Sequence, residues 1–479
     1  MTTNSPDLNT NLSRWYTWIG HLFFWVVSLA CILLYKERLL SFDTAYYTFH
    51  LVTFQDFFIK HDRYISYLTQ WVPLIGVDWE WSLANVFRAY SVSFYLWFYG
   101  LFLIIVYGLR NPLGGLLLVG ALCLGMRYKF YAAISEITFG LAIGAFLVAW
   151  LTTRQEKDGL KWLDFAVVTL CLVGLFGAHL APLYPIMTFL VFERLYDNTW
   201  LKPKRWIMPG FILLVFAVKF FVVQEDEYES NRLADLLNPD AIRELFLHPG
   251  EHYIFSAIKQ YFTTQYILPG LAFTASLGWL VWKRKILAAL FISLSFLGWI
   301  VINIITYSDL GGPVFIMLDG YLALLGLIWM TPFYFLLRDN PRWPLTAIMS
   351  LLMVVSTWQM IGTYSFYRQR LTYIKDTLAM HPEPAQKKLI VPWNLFEWNT
   401  MWFPYELPHE TLMLTALDNP DSCRTIYVLI DAPLDAEFLK TEGFIQFQGA
   451  HDASTINNSP YFNLPEMPYV EADTTAWKW

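Results

Sequence analysis

A carboxylate, a guanidinium and an amide follow one another along one aromatic segment: Asp43, then Arg63 and Gln70, with Tyr47 and Tyr67 among them. Arg63, Tyr67 and Gln70 recur at helical spacing, so a single cleft can receive all three. These residue types can accept a proton, hold a phosphate through paired N–H donors and bind a polar headgroup. Five more ionisable residues, Arg88, Glu136, His179, Lys219 and Asp319, stand at the edges of apolar runs. Ionisable groups are costly beside hydrocarbon and are functional candidates by default. Asp43 and Glu136 are thus the candidate catalytic acids, and Arg63, Arg88 and Lys219 the candidate phosphate-binding cations. Tyr47, Tyr67, Gln70, His179 and Asp319 are candidate substrate contacts.

The elements that must position them are membrane helices. The 479 residues are 56% hydrophobic and only 15% charged, with 18% aromatic, and the mean hydropathy is +0.40. That composition excludes an ordinary soluble enzyme, a disordered scaffold and a nucleic-acid binder. Apolar runs of spanning length lie at 16–35, 84–108, 112–126, 136–152, 163–180, 183–196, 206–223, 263–282, 285–307, 319–337 and 343–363. The fold expected is therefore an α-helical polytopic membrane protein of about eleven spans. Basic residues of alternate short loops, among them Arg110, Arg154, Lys202, Lys283 and Arg338, fall on the side of Arg14. The positive-inside rule makes that side cytoplasmic, with the amino terminus inside and the carboxyl terminus outside. Residues 1–15 are then a cytoplasmic segment and 16–363 the spanning domain. Its outer loops are 36–83, 127–135 and the acidic 224–262.

The segment 364–479 reads as a separate water-facing domain: from His381 onward, 5 Lys or Arg face 14 Asp or Glu. The run Thr425–Ile430 is a predicted strand, and the domain is read as small α/β or α+β. The four cysteines suggest neither a disulfide framework nor a metal–thiolate site. The first loop is too rich in aromatics and too short in apolar run to span, so 44–59 reads as a helix lying in the interface, with Asp43 at its amino end. In this topology the ionisable residues all collect at outer span ends rather than at mid-depth, which places the reactive surface at the outer boundary of the membrane.

One span, then an outer loop with an acidic residue and a juxtamembrane helix, then many spans and an outer carboxyl-terminal domain: this layout resembles the GT-C superfamily of membrane glycosyltransferases, over about 16–363. The resemblance implies a polyprenyl-phosphate-linked sugar as donor, a glycan, lipid or protein as acceptor, and Asp43 as general base. Ser135-Glu136 resembles the second acidic position of several such enzymes. A bacterial cytoplasmic membrane with a periplasmic carboxyl-terminal domain is the implied location. Many members carry two adjacent acids in the first loop, whereas Thr44 follows Asp43 here; no cofactor is therefore assigned, and a divalent cation, Mg or Mn, is the one such group the resemblance leaves open.

Each residue also has a plainer role open to it. Asp43 can cap the interfacial helix, Glu136 can sit in a first turn favoured by the helix dipole, and Arg63 can snorkel to lipid phosphates. Lys219 and Asp319 can pair structurally, and His179 sits in a proline-broken stretch where a hydrogen-bonded core histidine is common. Rival functions are a transporter or flippase of lipid-linked sugar, a polysaccharide polymerase or ligase, and a non-catalytic assembly protein. A transporter predicts a polar path through the spans, and convergence of Asp43, Arg63, Glu136 and His179 on one outer cleft is what the transferase predicts.

Overall fold

The computed structural model describes residues 6–157, 161–222, 238–307, 315–382, 384–392, 401, 404–429, 442–446 and 449–472. Much of the acidic loop at 224–262, including Glu225, Asp226, Glu227 and Tyr228, lies outside them. Helices α1 (Pro6–Leu33), α2 (Tyr35–Leu39), α3 (Phe42–Phe54), α4 (Ser66–Asp78) and α5 (Leu83–Leu103) open the chain. They are followed by α6 (Pro112–Leu124), α7 (Glu136–Lys157), α8 (Trp162–Phe176), α9 (Leu183–Tyr196) and α10 (Ile207–Val222). After the short α11 (Pro239–Leu247) and α12 (Tyr253–Gln260) come α13 (Ile267–Trp282), α14 (Ile286–Thr306), α15 (Phe315–Leu322), α16 (Leu325–Asp339), α17 (Trp343–Gly362) and α18 (Tyr364–Met380).

All eleven apolar runs are helical, the tenth being divided at Ala323–Leu324 into α15 and α16. Among the described residues, six helical stretches are long and apolar enough to cross a membrane: Thr10–Leu33, Leu83–Gly108, Glu136–Arg154, Ile286–Thr306, Ile316–Asp339 and Trp343–Met380. Pro112–Leu124, Trp162–Phe176 and Ile267–Trp282 are shorter apolar helices. Along α1, Trp18, Leu22, Trp25, Leu29 and Leu33 are exposed in one stripe, a face that water would penalise and lipid accepts.

Local chemistry sets the joints between these helices. Asn111 caps α6 by accepting the Gly114 N–H at 2.8 Å, with Pro112 in the first turn where its missing N–H costs nothing. Helices α6 and α16 meet backbone to backbone: a Cβ at Gly326 would lie 2.1 Å from the Ala121 carbonyl oxygen, and one at Gly125 would lie 2.3 Å from that of Ala323. Small residues are what allow such an approach. This contact fixes α15, and with it Asp319, over the turn that follows α6.

Helix α18 continues α17, giving one 38-residue stretch from Trp343 to Met380. At about 1.5 Å per residue that is roughly 57 Å, well beyond a hydrocarbon core of about 30 Å. Its far half carries Arg370 into the carboxyl-terminal region. There β1 (Lys388–Pro392), β2 (Thr425–Leu429), β3 (Phe444–Gln446), β4 (Gly449–His451) and β5 (Val470–Glu471) are arranged as a parallel sheet in the order β2-β1-β5 and an antiparallel β3-β4 hairpin. Helix α19 (Leu407–Ala416) lies between β1 and β2 in sequence and packs on β2, the crossover that a parallel pair requires. A second hydrophobic core joins this region to the segment between α1 and α5: Phe49, Leu51 and Val52 of α3 pack with Leu412, Ile426, Phe444 and Phe462.

Candidate functional site

The site begins one residue before Asp43. Phe42 has φ of 52°, a left-handed conformation rare for an aromatic residue, and its N–H donates to Glu410 Oε1 at 2.7 Å. Glu410, on α19, is held in turn by Arg370: Nε lies 2.7 Å from Oε2 and Nη2 2.9 Å from Oε1, and both side chains are completely buried. The guanidinium stacks 4.4 Å from the Phe42 ring centroid, and the Phe366 ring stacks on Phe42 with centroids 6.4 Å apart. A backbone outlier of this kind costs about 1–3 kcal/mol and persists only where its surroundings over-determine it. Here the surroundings come from the carboxyl-terminal region, and they aim the first turn of α3.

Asp43 occupies that first turn without making the capping hydrogen bond; Ser41 is the N-cap residue and it makes no side-chain cap either. The Asp43 side chain opens instead into a recess with Ser41, Thr44, Lys129, Tyr131, Ile316 and Tyr367 among its walls. The residue keeps an accessible surface while protein encloses it on nearly all sides. Loss of hydration pushes its carboxyl above the usual range; Lys129 opposes this most, Glu406 adds to it, and Lys60 and His61 counter it. The recess holds about 30 Å³ of water-accessible space, room for about two waters and not for a sugar ring.

Lys129 projects from the 3₁₀ turn Tyr128–Tyr131. Asp319 fixes that turn, its Oδ2 accepting the Lys129 N–H at 2.6 Å and the Arg127 N–H at 3.2 Å. Glu136, at the start of α7, has Arg63 and Lys129 as its cationic neighbours and Asp43 as an anionic one. Arg63 is buried and donates from Nη1 to the Ala178 carbonyl at 2.9 Å. Tyr47, one turn beyond Asp43, is buried against the same group: desolvation raises its phenol, with Glu136 and Asp43 adding to that and Arg63 opposing it.

His179 Nδ1 accepts the Ala181 N–H at 3.0 Å, so the proton of the neutral ring belongs on Nε2, 3.0 Å from the Tyr321 hydroxyl. The Arg63 and Lys129 charges lie within its electrostatic reach. Its two hydrogen bonds tie the 177–182 loop to α15. Asp43, Glu136, Arg63, Tyr47 and His179 are thus linked electrostatically into one group around Lys129.

The remaining candidates stand elsewhere. Arg63 lies in a turn, with its own N–H bonded to Lys60 and the Ser66 N–H bonded back to it, and α4 begins only at Ser66; helical spacing therefore does not carry Tyr67 and Gln70 to its side. Tyr67 is exposed with its ring 4.8 Å from Phe57, and Gln70 spends both ends of its buried amide on the Phe58 main chain at 2.8 Å. Arg88 is exposed, hydrogen-bonded to Asn85 at 2.7 Å and stacked on Tyr35. Lys219 sits on α10, which packs on α8, and Asp319 bonds the 127–131 turn rather than Lys219.

Lys129, Arg370 and Glu410 escaped the sequence reading. The one available signal was the run Tyr128-Lys129-Phe130-Tyr131, a lysine embedded in aromatics within a short loop between apolar runs. A divalent ion does not fit the donor set: among the described residues no three His, Cys, Asp or Glu side chains gather for one, and Lys129 already offers a positive charge to both Asp43 and Glu136. Compared with known proteins, the chain matches no family model, no curated protein and no solved structure.

Proposed function

We propose that the chain is a membrane glycosyltransferase of GT-C type, moving a sugar from a polyprenyl-phosphate donor to a glycan, lipid or protein acceptor at the outer face of a bacterial cytoplasmic membrane, with eleven spans and the carboxyl-terminal region outside. The observation that carries this reading is the pairing of Asp43 and Lys129 in one recess, with Glu136 and Arg63 beside it. A carboxylate whose pKa is raised above the ordinary value is a stronger base than a free one, as general-base work requires.

In the proposed step the acceptor hydroxyl attacks the anomeric carbon as its proton passes to Asp43. The bond from that carbon to the phosphate oxygen breaks, and the electron pair leaves with the polyprenyl phosphate. Lys129, with Arg63 behind it, stabilises the departing charge. Glu136 places a negative charge near both cations, and Tyr47 is buried close to Glu136 and Asp43. Because the recess admits water only, donor binding must widen it; the 127–131 turn and the start of α3 are the walls that separate. A lipid-linked donor explains why such a group would stand beside apolar helices: the tail stays in hydrocarbon while the sugar phosphate reaches the boundary.

The experiment is mass spectrometry of surface glycans and lipid-linked sugars from cells expressing wild type or Asp43→Asn at equal level. Loss of one defined sugar from the acceptor, with its polyprenyl-phosphate donor retained, is the expected result. An unchanged glycan profile removes Asp43 as base and brings the transporter and assembly readings forward.

A further inference from the structure

A second concavity lies at the other end of α1. Arg14 and Leu33 are nineteen residues apart in sequence, about 28 Å along a helix, so the mouth of this groove and the Asp43 recess are separated by roughly a hydrocarbon thickness. The groove holds about 410 Å³ and is lined from α1 by Ser13, Arg14, Thr17, Trp18, His21 and Trp25. Its opposite wall is made of Tyr99 and Tyr107.

The floor is built with some care for polar satisfaction. His21 Nδ1 lies 2.7 Å from the Tyr99 hydroxyl and its Nε2 lies 2.8 Å from that of Tyr107. Both ring nitrogens are thus paired within a region of apolar surface, where an unpaired one would be costly. Tyr107 reaches His21 because α5 ends in a π-helical turn, Ile104–Gly108; the extra residue in that turn shifts the side chains after it, and turns of this type recur at functional positions. Trp18 and Trp25 stand as walls, 60% and 57% exposed.

Arg14, in the third turn of α1, is the basic residue of the lining and is exposed; Arg110, after the π turn, and Arg342, the N-cap residue of α17, are exposed outside the lining. An edge-to-face contact of Trp15 with Trp343 at 6.0 Å, and the Trp15 indole N–H donating to Ser350 at 3.2 Å, bring the α1 and α17 ends together. The stripe of Leu22, Leu29 and Leu33 continues along α1 from the groove, so its occupant approaches from lipid rather than from water.

We infer that the groove seats one anionic glycerophospholipid from the leaflet at the amino-terminal end of α1. Its phosphate meets Arg14, with the Ser13 hydroxyl alongside, and one acyl chain runs between Trp18 and Trp25 over the His21–Tyr107 floor. A second copy of the chain is a poorer occupant, because a symmetric contact on this groove would bring two copies of Arg14 together. This assignment stands apart from the transferase reading and neither requires the other.

The test uses the full chain, purified in detergent, stripped of lipid and titrated with phosphatidylglycerol or phosphatidylcholine of identical acyl chains, with bound lipid counted by native mass spectrometry. The first phosphatidylglycerol is expected to bind more tightly than phosphatidylcholine. Arg14→Gln should weaken it about five-fold, the worth of one basic residue at a lipid surface, and Thr17→Phe, which fills the groove, should abolish the preference. Wild type binding both lipids equally overturns the inference, as does a preference that survives either variant. A dimer mass that disappears in Thr17→Phe would overturn it in favour of a second copy.

Discussion

Glu410 Oε1 accepts the Phe42 N–H at 2.7 Å across 368 positions of sequence, so a carboxylate of the carboxyl-terminal region sets the backbone that launches Asp43. The bond does more than join two parts of the chain. It satisfies an N–H left over at a left-handed residue, while Arg370 neutralises the same carboxylate and stacks on the same ring. The carboxyl-terminal region is therefore part of the candidate site, and Tyr367 of α18 also lines the recess.

Glu410→Gln leaves Arg370 buried without its anion. Removing one partner of a buried pair costs roughly 3–5 kcal/mol, whereas replacing both with apolar side chains is often neutral. The single variant is expected to lower thermal stability sharply, and Arg370→Met with Glu410→Leu to restore most of it. Transfer should not return with stability, because the Phe42 N–H still lacks its acceptor and a misplacement of about 1 Å costs about 100-fold. Full activity in the restabilised double variant would show that the pair only packs.

Lys129→Met separates the electrostatic partner of Asp43 from the recess itself. Burial raises the Asp43 carboxyl and Lys129 is the strongest influence opposing that rise; without the lysine the pKa climbs further. A general base works only when ionised, so the acid limb of kcat/KM, the pH below which transfer fades, is expected to move to higher pH. A fall in rate with the limb unmoved would place Lys129 on the phosphate alone.

The helices were legible because an apolar run is a direct demand for burial or lipid, and each of the eleven runs is helical. The site was legible only in part, for identifiable reasons. Asp43 and Glu136 announce themselves as carboxylates at span ends. Lys129 does not, since a basic residue in a short loop usually serves orientation, and its position depends on Asp319 bonding its backbone from 190 residues away. Helical spacing projected from Arg63 misplaced Tyr67 and Gln70, because spacing is informative only inside one helix and Arg63 precedes α4. Arg370 and Glu410 belong to the carboxyl-terminal region, whose approach to α3 is a matter of tertiary packing, on which local pattern is silent.

Gly326→Ala tests the joint behind Asp319. The added methyl would be placed 2.1 Å from the Ala121 carbonyl oxygen, against backbone that cannot rotate away. Overpacking of this kind costs about 1–3 kcal/mol, and a lower melting temperature in detergent is expected. Gly210→Ala, where nothing lies within 4 Å of the added carbon, is the control and should leave the melting temperature unchanged or slightly raised.

The contact between α3 and the carboxyl-terminal region should also weaken in acid. His50 stacks on Phe58 with ring centroids 4.1 Å apart and has its Nε2 buried without a hydrogen-bond partner among the described residues. Burial lowers its pKa to about 3, with His409 of α19, His451 of β4 and Lys60 all adding to the effect. His451, beside Phe54, is itself lowered by burial and by His409, with Asp452 opposing, and Glu406 lies 2.8 Å from His409. The unfolded chain binds a proton at His50 below about pH 6.5 while the folded chain does not, so stability is intact above that pH and declines as pH falls from it toward 3. The loss is at most about 1.4 kcal/mol per pH unit for this one group. Melting temperature measured between pH 7.5 and 5 is expected to fall, and His50→Asn, which cannot take up the proton in either state, to flatten that dependence. An identical pH slope in wild type and His50→Asn would assign the acid sensitivity to other groups.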